Sequence, residues 1–571
     1  MKRFAMVLVI VVLLTSMILG SCSEPETTPT TTQPTSTQPT STQPTGTQPT
    51  STQPTSTQPT STQPTETTPT GPQPVYGGVL RIITPMDPTV LGYPPQQAGR
   101  ATYFQYCVLE RLCIYAPTVW EDHSFQGILA TSWEHENDMK TWIFHLREGV
   151  KFHDGSPWNA AAAKWNADLQ LLEGASTLFN DLDSAETPDE YTIVYNFKSP
   201  QTTLLVEMAT GVYFISPTSY ESFGDTQEER KEYALQHPVG TGPFKLVDAV
   251  LGSHVEYERF DDYWAGKPYL EGVKYLIVPD ATVSKAMMEA GEADVYVFSE
   301  WKETLELAAM DGFYAHYAVH HTPEGVWPSA LEPDSYFYDK RVRQALEYAI
   351  DREAIVNAIS LGSDMIEVMY QAPIPSDPAY RPDFGRKYDP DKARALLAEA
   401  GVPAGFETTI YIRAITGRWA DAALLMQAMY EQVGIKLNIE MISPGQYMTY
   451  LLFGWPPDTL FFSGIPNEPI PPFVAKRDYR CSAPNIPKWN HSTVQTPEMC
   501  ALHDALSAAT TEEGLWEAYI ALSHQAMDDA VGIYMMDWPD TAVFADYVMD
   551  NDWCAYSTKV WNANTVWMSE H

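Results

Sequence analysis

A pentapeptide, Ser-Thr-Gln-Pro-Thr, recurs from Thr31 to Thr70, and it decides where in this chain a fold can form. From Ser23 to Pro74 the chain is mostly Thr, Pro, Gln and Ser, with almost nothing apolar to bury. Ordering such a stretch costs roughly 1–2 kcal/mol per residue with no burial to offset it, so a Pro-stiffened, disordered tether is expected. At ~3.1 Å per residue it would reach on the order of 150 Å. Folding is left to Val75–His571. That length exceeds one simple core and implies at least two lobes.

The residues before the tether carry an address. Met1 to Arg3 is a basic head, Phe4 to Leu19 is an apolar run, and Leu19-Gly20-Ser21-Cys22 follows at once. An apolar run of roughly 16 residues is short of the ~20 a spanning helix needs, so residues 1–21 read as a signal peptide. Leu-Gly-Ser-Cys resembles the lipobox of bacterial lipoproteins, in which cleavage leaves the Cys as an acylated amino terminus. On that resemblance Cys22 is the lipidation site. The protein is then secreted and held by lipid alone at the outer face of the cytoplasmic membrane, periplasmic or on the cell surface.

Charge excludes one set of partners. Lys plus Arg number 35 against 73 Asp plus Glu, a net −38. Nucleic acid and anionic lipid surfaces both need a cationic face, so neither is expected to bind. The 16 Trp and 32 Tyr allow a cleft that uses rings as contact surface, although large cores also consume rings. Beyond Cys22 there are five cysteines, Cys107, Cys113, Cys481, Cys500 and Cys554, so at least one lacks a partner within the chain. Cys481 and Cys500 flank the Pro/Asn-rich stretch SAPNIPKWNHSTVQTPEM, and a disulfide between them would constrain that loop. There is no Cys-x-x-Cys, and neither a metal site nor a cofactor is expected.

The segment FHLREGVKFHDG, Phe144 to Gly155, sets a His beside an Asp. Alternation from Trp142 to Leu146, a turn at Glu148-Gly149 and a second run at Val150 to Phe152 predict a hairpin, with Asp154-Gly155 as a further turn. A metal site needs three or four converging ligands, so His153 reads as structural.

The wider stretch Leu129 to Asn166, LATSWEHENDMKTWIFHLREGVKFHDGSPWNAAAAKWN, resembles the signature of the family 5 extracellular solute-binding proteins, the peptide/nickel group of ABC importers. There a Trp-Glu pair, here Trp133 and Glu134, precedes the hairpin, and an aspartate-glycine turn leads to a helix. His237–Leu246, Asp261–Val295, Asp339–Ile359 and Tyr388–Gly401 resemble its later blocks, in the same order. On their own terms, Val342, Ala345, Leu346, Ala349 and Ile350 recur at helical spacing, as do Ala393, Leu396, Leu397 and Ala400 before Gly401. GVKYLIVPD and GIKLNIEMI read as strands between such helices, an α/β pattern. GTGPF, Gly240 to Phe244, lacks the Lys of a phosphate loop.

The resemblance implies an α/β, two-lobe, periplasmic-binding-protein-like fold with a subdomain inserted in the first lobe. Lobe I is expected at 75–113, 237–331 and 535–571, the insertion at 114–236, and lobe II at 332–534. The hinge crossings are expected near VWPSALEP and IYMMDWPD, with Trp327 and Trp538 beside them.

Two functions compete on these residues, a receptor that hands a solute to a membrane permease and an extracellular hydrolase. No Gly-x-Ser-x-Gly and no His-Glu-x-x-His occurs, and the resemblance favours the receptor, not an enzyme. It implies a monomer that captures a small solute in the interlobe cleft and delivers it to an ABC permease. A peptide-like solute comes first, an oligosaccharide second and a metal chelate third. Peptide-binding members place an Asp where Ile465 stands in FSGIPNEP, Phe462 to Pro469. Capture of a peptide's amino terminus then needs Asp458 or Glu468 instead. Ring and cation candidates are Tyr93, Trp419, Trp455 and Phe462, with Arg413 and Arg418 able to meet a carboxylate in bidentate fashion. Binding by stacking and neutral hydrogen bonds is expected.

Overall fold

The computed structural model describes residues 73–88, 90–96, 102–116, 122–173, 177–318, 323–414, 417–464, 470–481, 492–550 and 563–570. Cys22, Ile465, Glu468 and Cys554 lie outside the described residues. Thr70–His571 forms one compact unit.

Its first sheet has seven strands in the order Phe313–Ala318, Asp540–Ala545, Val295–Val297, Val79–Thr84, Gly272–Ile277, His254–Arg259 and Phe244–Val250. Val79–Thr84 runs parallel to both neighbours, and the other pairs are antiparallel. Successive side chains of a strand point to opposite faces. Leu80 and Ile82 accordingly enter one core cluster while Ile83 enters another, with Tyr296 and Val543.

The second sheet has six strands in the order Glu367–Val368, Ile533–Asp537, Pro323–Pro328, Leu460–Gly464, Phe406–Arg413 and Ile435–Ile442. The last two run parallel and are joined by the helix Gly417–Gln432, a connection that parallel pairing requires. Pro323–Pro328 is buried along its whole length between two antiparallel partners. A bulge falls between Glu324 and Gly325, and a Cβ at Gly325 would collide with the Ile533 carbonyl. The helices Lys340–Tyr348 and Pro390–Glu399 bury the periodic residues Val342, Ala345, Leu346, Ala393 and Leu397 on this lobe. Asp339 and Asp389 cap them by accepting from the amides of Arg341 and Lys392.

These pairings move the expected crossings. Pro323–Pro328 sits in the middle of the second sheet, so the chain leaves the first sheet between Ala318 and Pro323, not near residue 331. It returns through Trp538 and Pro539, between Ile533–Asp537 and Asp540–Ala545, inside the expected stretch IYMMDWPD and just after the 534/535 lobe boundary. Trp538 therefore stands at a crossing. Trp327 does not: it is 1% exposed in the core of the second lobe, edge-on to Tyr534 and over Gly532, where a Cβ would meet its ring.

A third, four-stranded antiparallel sheet orders Ala130–Glu136, Thr141–Leu146, Thr192–Phe197 and Leu182–Asp189, with the helix Ala160–Glu173 packed on it. The expected hairpin is different in detail. Thr141–Leu146 pairs with Ala130–Glu136 and Thr192–Phe197, while Gly149, at φ +77°, turns the chain away and leaves only a bridge from Lys151 to Pro157. His153 donates from its amide to the Gly240 carbonyl and from Nε2 to the Gly242 carbonyl, each at 2.9 Å. Burial holds its ring down at about 4, so it is neutral. Asp154 accepts from the Ser156, Ser216 and Ser219 hydroxyls. The pair is a structural clasp between the inserted subdomain and the loop before Phe244–Val250.

Cys481 and Cys500 form a disulfide. Cys107 and Cys113 are buried thiols, each pushed up to about 12 by burial.

Candidate functional site

Where the chain crosses between the two large sheets, charge and rings converge. Glu324 enters from the strand Pro323–Pro328 as a lone carboxylate in a buried run, so it needs donors. The helix Gly417–Gln432 supplies them at its first turn. Arg418 grips both carboxylate oxygens, with Nε at 3.0 Å, and Trp419 Nε1 donates at 2.8 Å. The Arg418 guanidinium lies 5.0 Å from the centroid of Trp538, which meets Trp301 of the first lobe edge-on at 5.3 Å. Trp301 in turn donates from Nε1 to the Ser360 carbonyl of the second lobe, 2.9 Å away. One continuous contact thus runs from the first lobe through Trp538 and Arg418 to Glu324.

Behind it stands a stack of rings. Trp419 lies on Phe462 at 4.9 Å and tilts toward Tyr447 at 6.0 Å. Arg413, half-buried at the end of Phe406–Arg413, covers Trp419 at 5.5 Å and Tyr447 at 5.3 Å. The Tyr447 hydroxyl is 3.2 Å from Ser463 Oγ.

The structure brings Arg413, Arg418, Trp419 and Phe462 together but changes what several of them do. Arg418 is committed to Glu324 and does not present its fork to a solute carboxylate. Phe462 is fully buried between strands. Tyr93 is likewise 0% exposed, stacked with Tyr220 at 6.2 Å, far along the chain from this junction. Trp455 is buried against Phe461 at 4.8 Å. Asp458, in a left-handed turn at φ +55°, accepts from the Tyr336 amide and the Ser335 hydroxyl at 2.8 Å each, which occupies the carboxylate offered for a peptide's ammonium. Sequence reasoning missed Glu324, Trp301 and Tyr447. Glu324 had a readable signal, a single acid inside an apolar strand.

A second feature was not foreseen. A cavity of about 520 Å³ lies between the inserted subdomain and the second lobe. Glu207, on the helix Leu204–Thr210, lines one side; Lys476, on the helix Pro471–Asp478, and Arg480 line the other. Burial pushes the Glu207 carboxyl up to about 7 against the pull of Lys476, and burial lowers Lys476 in turn. Neither charged group makes an ion pair with another described residue. Lys476, Arg477 and Arg480 within five positions stand out in so acidic a chain. Among the described residues no group of three or more His, Cys, Asp or Glu is placed to hold a metal, and no helix is long and apolar enough to cross a membrane.

Two α/β bodies joined by paired crossings, one carrying an inserted subdomain, define a two-lobed binding-protein fold, and the solved structures agree. The oligopeptide-binding protein AppA of Bacillus subtilis, in complex with a nonapeptide, matches with a TM-score of 0.72 at 19% identity, over 87% of this chain and all of that one. NikA of Brucella suis, in complex with Fe(III)-EDTA, matches at 0.74 and 22%, over 86% of this chain and all of that one. The chain belongs to the bacterial extracellular solute-binding proteins, family 5, whose middle-region model it matches over residues 124–480. Among curated relatives, the glutathione-binding protein GsiB of Pectobacterium atrosepticum is 30% identical over 335 residues, 57% of this chain and 62% of that protein. The heme-binding protein A of Haemophilus influenzae is 29% identical over 429 residues, 67% of this chain and 74% of that protein. The match thus spans less than two thirds of GsiB's length.

Proposed function

We propose that this protein is the solute receptor of an ABC importer, taking a short peptide-like solute between its lobes and presenting it to a membrane permease. The observation that carries the reading is the cavity between the inserted subdomain and the second lobe. Glu207 on one wall and Lys476 on the other face it with opposite polarity, close enough to feel each other's charge but without a direct ion pair. A dipolar solute, with an ammonium at one end and a carboxylate at the other, satisfies both, and a solute that touches both bodies favours the closed arrangement. Related proteins named for glutathione and for an oligopeptide complex support a peptide-like solute.

The lipid anchor at Cys22 and the tether place this receptor at the outer face of the cytoplasmic membrane, as a monomer. Replacing Cys22 with Ser should release the protein from the membrane fraction; retention there refutes the anchor.

Calorimetry on Val75–His571 tests the solute. Tripeptides and glutathione should bind, and Lys476→Met should weaken them tenfold or more. Acetylating the amino terminus should cost a similar factor if Glu207 receives it, and little if stacking dominates. Binding of cello- or xylo-oligosaccharides with no peptide binding sinks the peptide reading and installs the sugar one.

A further inference from the structure

A separate cavity of about 550 Å³ also lies between the inserted subdomain and the second lobe, and it shares no residue with the Glu324–Arg418 junction. Its walls are rings. Trp133 and Trp142 come from the paired strands Ala130–Glu136 and Thr141–Leu146, Phe125 from Phe125–Gly127, and Trp516 from the helix Glu512–Asp528 of the second lobe. Trp516 carries His123 against it at 4.8 Å, and Trp142 carries His135 at 5.0 Å.

Beside His123, His135, Thr202 and Thr203, the balance of carboxylates against Lys and Arg in the lining is one-sided. Glu134 and Glu512 are exposed carboxylates, and no Lys or Arg is among the described lining residues. Glu134 lies 3.7 Å from His145 Nε2, and both side chains are exposed. Donors are scarce: Trp142 Nε1 is already spent on the Met139 carbonyl at 3.0 Å. Thr202 Oγ1, buried in the lining, has no hydrogen-bond partner and can accept or donate. Aromatic faces, carboxylates and an unused hydroxyl all attract a group that brings positive charge and donors of its own.

We propose that this cavity is a binding site for an organic cation, an alkylammonium or guanidinium group held over Trp516 and Trp133 with Glu512 and Glu134 at the rim. The same chemistry is offered by a free amine and by the basic side chain of a larger solute. Apart from Thr203, which borders both cavities, the site stands on residues outside the peptide reading, so a failure of that reading leaves it untouched.

The test titrates the whole protein with benzyltrimethylammonium, following tryptophan fluorescence and calorimetry, with benzyl alcohol and cellotriose as neutral comparators. The cation should bind at least tenfold more tightly than benzyl alcohol and should weaken as salt rises. Trp516→Leu, which keeps apolar volume and removes the π face, should weaken it tenfold or more. Glu512→Gln should weaken it severalfold and blunt the salt dependence. Equal affinity for benzyl alcohol, preference for cellotriose, or unchanged binding in both variants overturns the proposal. A Lys-containing tripeptide that binds through Trp516 more tightly than the free cation identifies a side chain as the natural occupant. The reverse order identifies a free amine.

Discussion

Removing the carboxylate of Glu324 should loosen the junction between the lobes, and the structure gives the size of the effect. The Glu324 side chain is 7% exposed and that of Arg418 is 29% exposed. Breaking a buried ion pair from one side costs about 3–5 kcal/mol, because the remaining charge is left without its partner. Arg418 keeps some contact with water, which screens the pair and brings the cost to the bottom of that range or just below it, about 2–3 kcal/mol. Trp419 Nε1 also loses its acceptor, which adds about 1 kcal/mol. Glu324→Ala should therefore destabilise by about 3–4 kcal/mol, and Glu324→Gln, which still accepts from Trp419, by about 2 kcal/mol. Urea unfolding followed by tryptophan fluorescence measures both, since Trp301, Trp419 and Trp538 all border the pair. The double variant Glu324→Gln with Arg418→Met should return to within about 1 kcal/mol of wild type, because it removes both charges together. A loss below about 1 kcal/mol for Glu324→Ala, or additive losses in the double variant, would refute the claim that this pair joins the structure here.

Two further outcomes follow from single sites. Glu110 accepts from the Tyr263 hydroxyl at 2.8 Å and Trp264 Nε1 at 2.9 Å, yet burial pushes its carboxyl up from 4.5 to about 7. Its protonated form is the one the fold favours, so its contribution is whole below pH 4.5 and is lost as pH rises to about 7. Glu110→Gln should remove that decline, and identical pH profiles for variant and wild type by thermal unfolding would contradict it. The Cys481–Cys500 bridge closes a sequence separation of 19, and losing it in Cys481→Ser with Cys500→Ser should cost about 3 kcal/mol in urea.

Much of the fold was legible because it is local. The helices Lys340–Tyr348 and Pro390–Glu399 announce themselves by apolar spacing and by an aspartate at each start. Pro323–Pro328 was placed in the wrong lobe for a physical reason. Apolarity marks a strand as buried but does not name the sheet, and this strand's partners, Leu460–Gly464 and Ile533–Asp537, lie more than a hundred residues away. Which side chains serve a solute is harder still. Arg418 looks available in sequence and is not, because Glu324, 94 positions earlier, was brought beneath it by sheet pairing. Asp458 looks like a free acid and is not, because a left-handed turn aims it at the Tyr336 amide.

The charges that remain unspent point the other way along the molecule. With Arg418 and Asp458 bonded internally, Glu207 and Lys476, one on the inserted subdomain and one on the second lobe, are described charged groups that line a cavity without a direct ion pair. Neither lies in a segment where the family resemblance placed a contact. Desolvating both groups without a direct hydrogen-bonded ion pair lowers stability, which a purely structural face would avoid by close pairing or apolar replacement. Glu207→Leu with Lys476→Met should therefore stabilise the protein by about 1–2 kcal/mol while weakening the solute. If the pair instead destabilises the protein and solute affinity is unchanged, the two charges serve the fold, and the solute is held at the aromatic junction around Arg413.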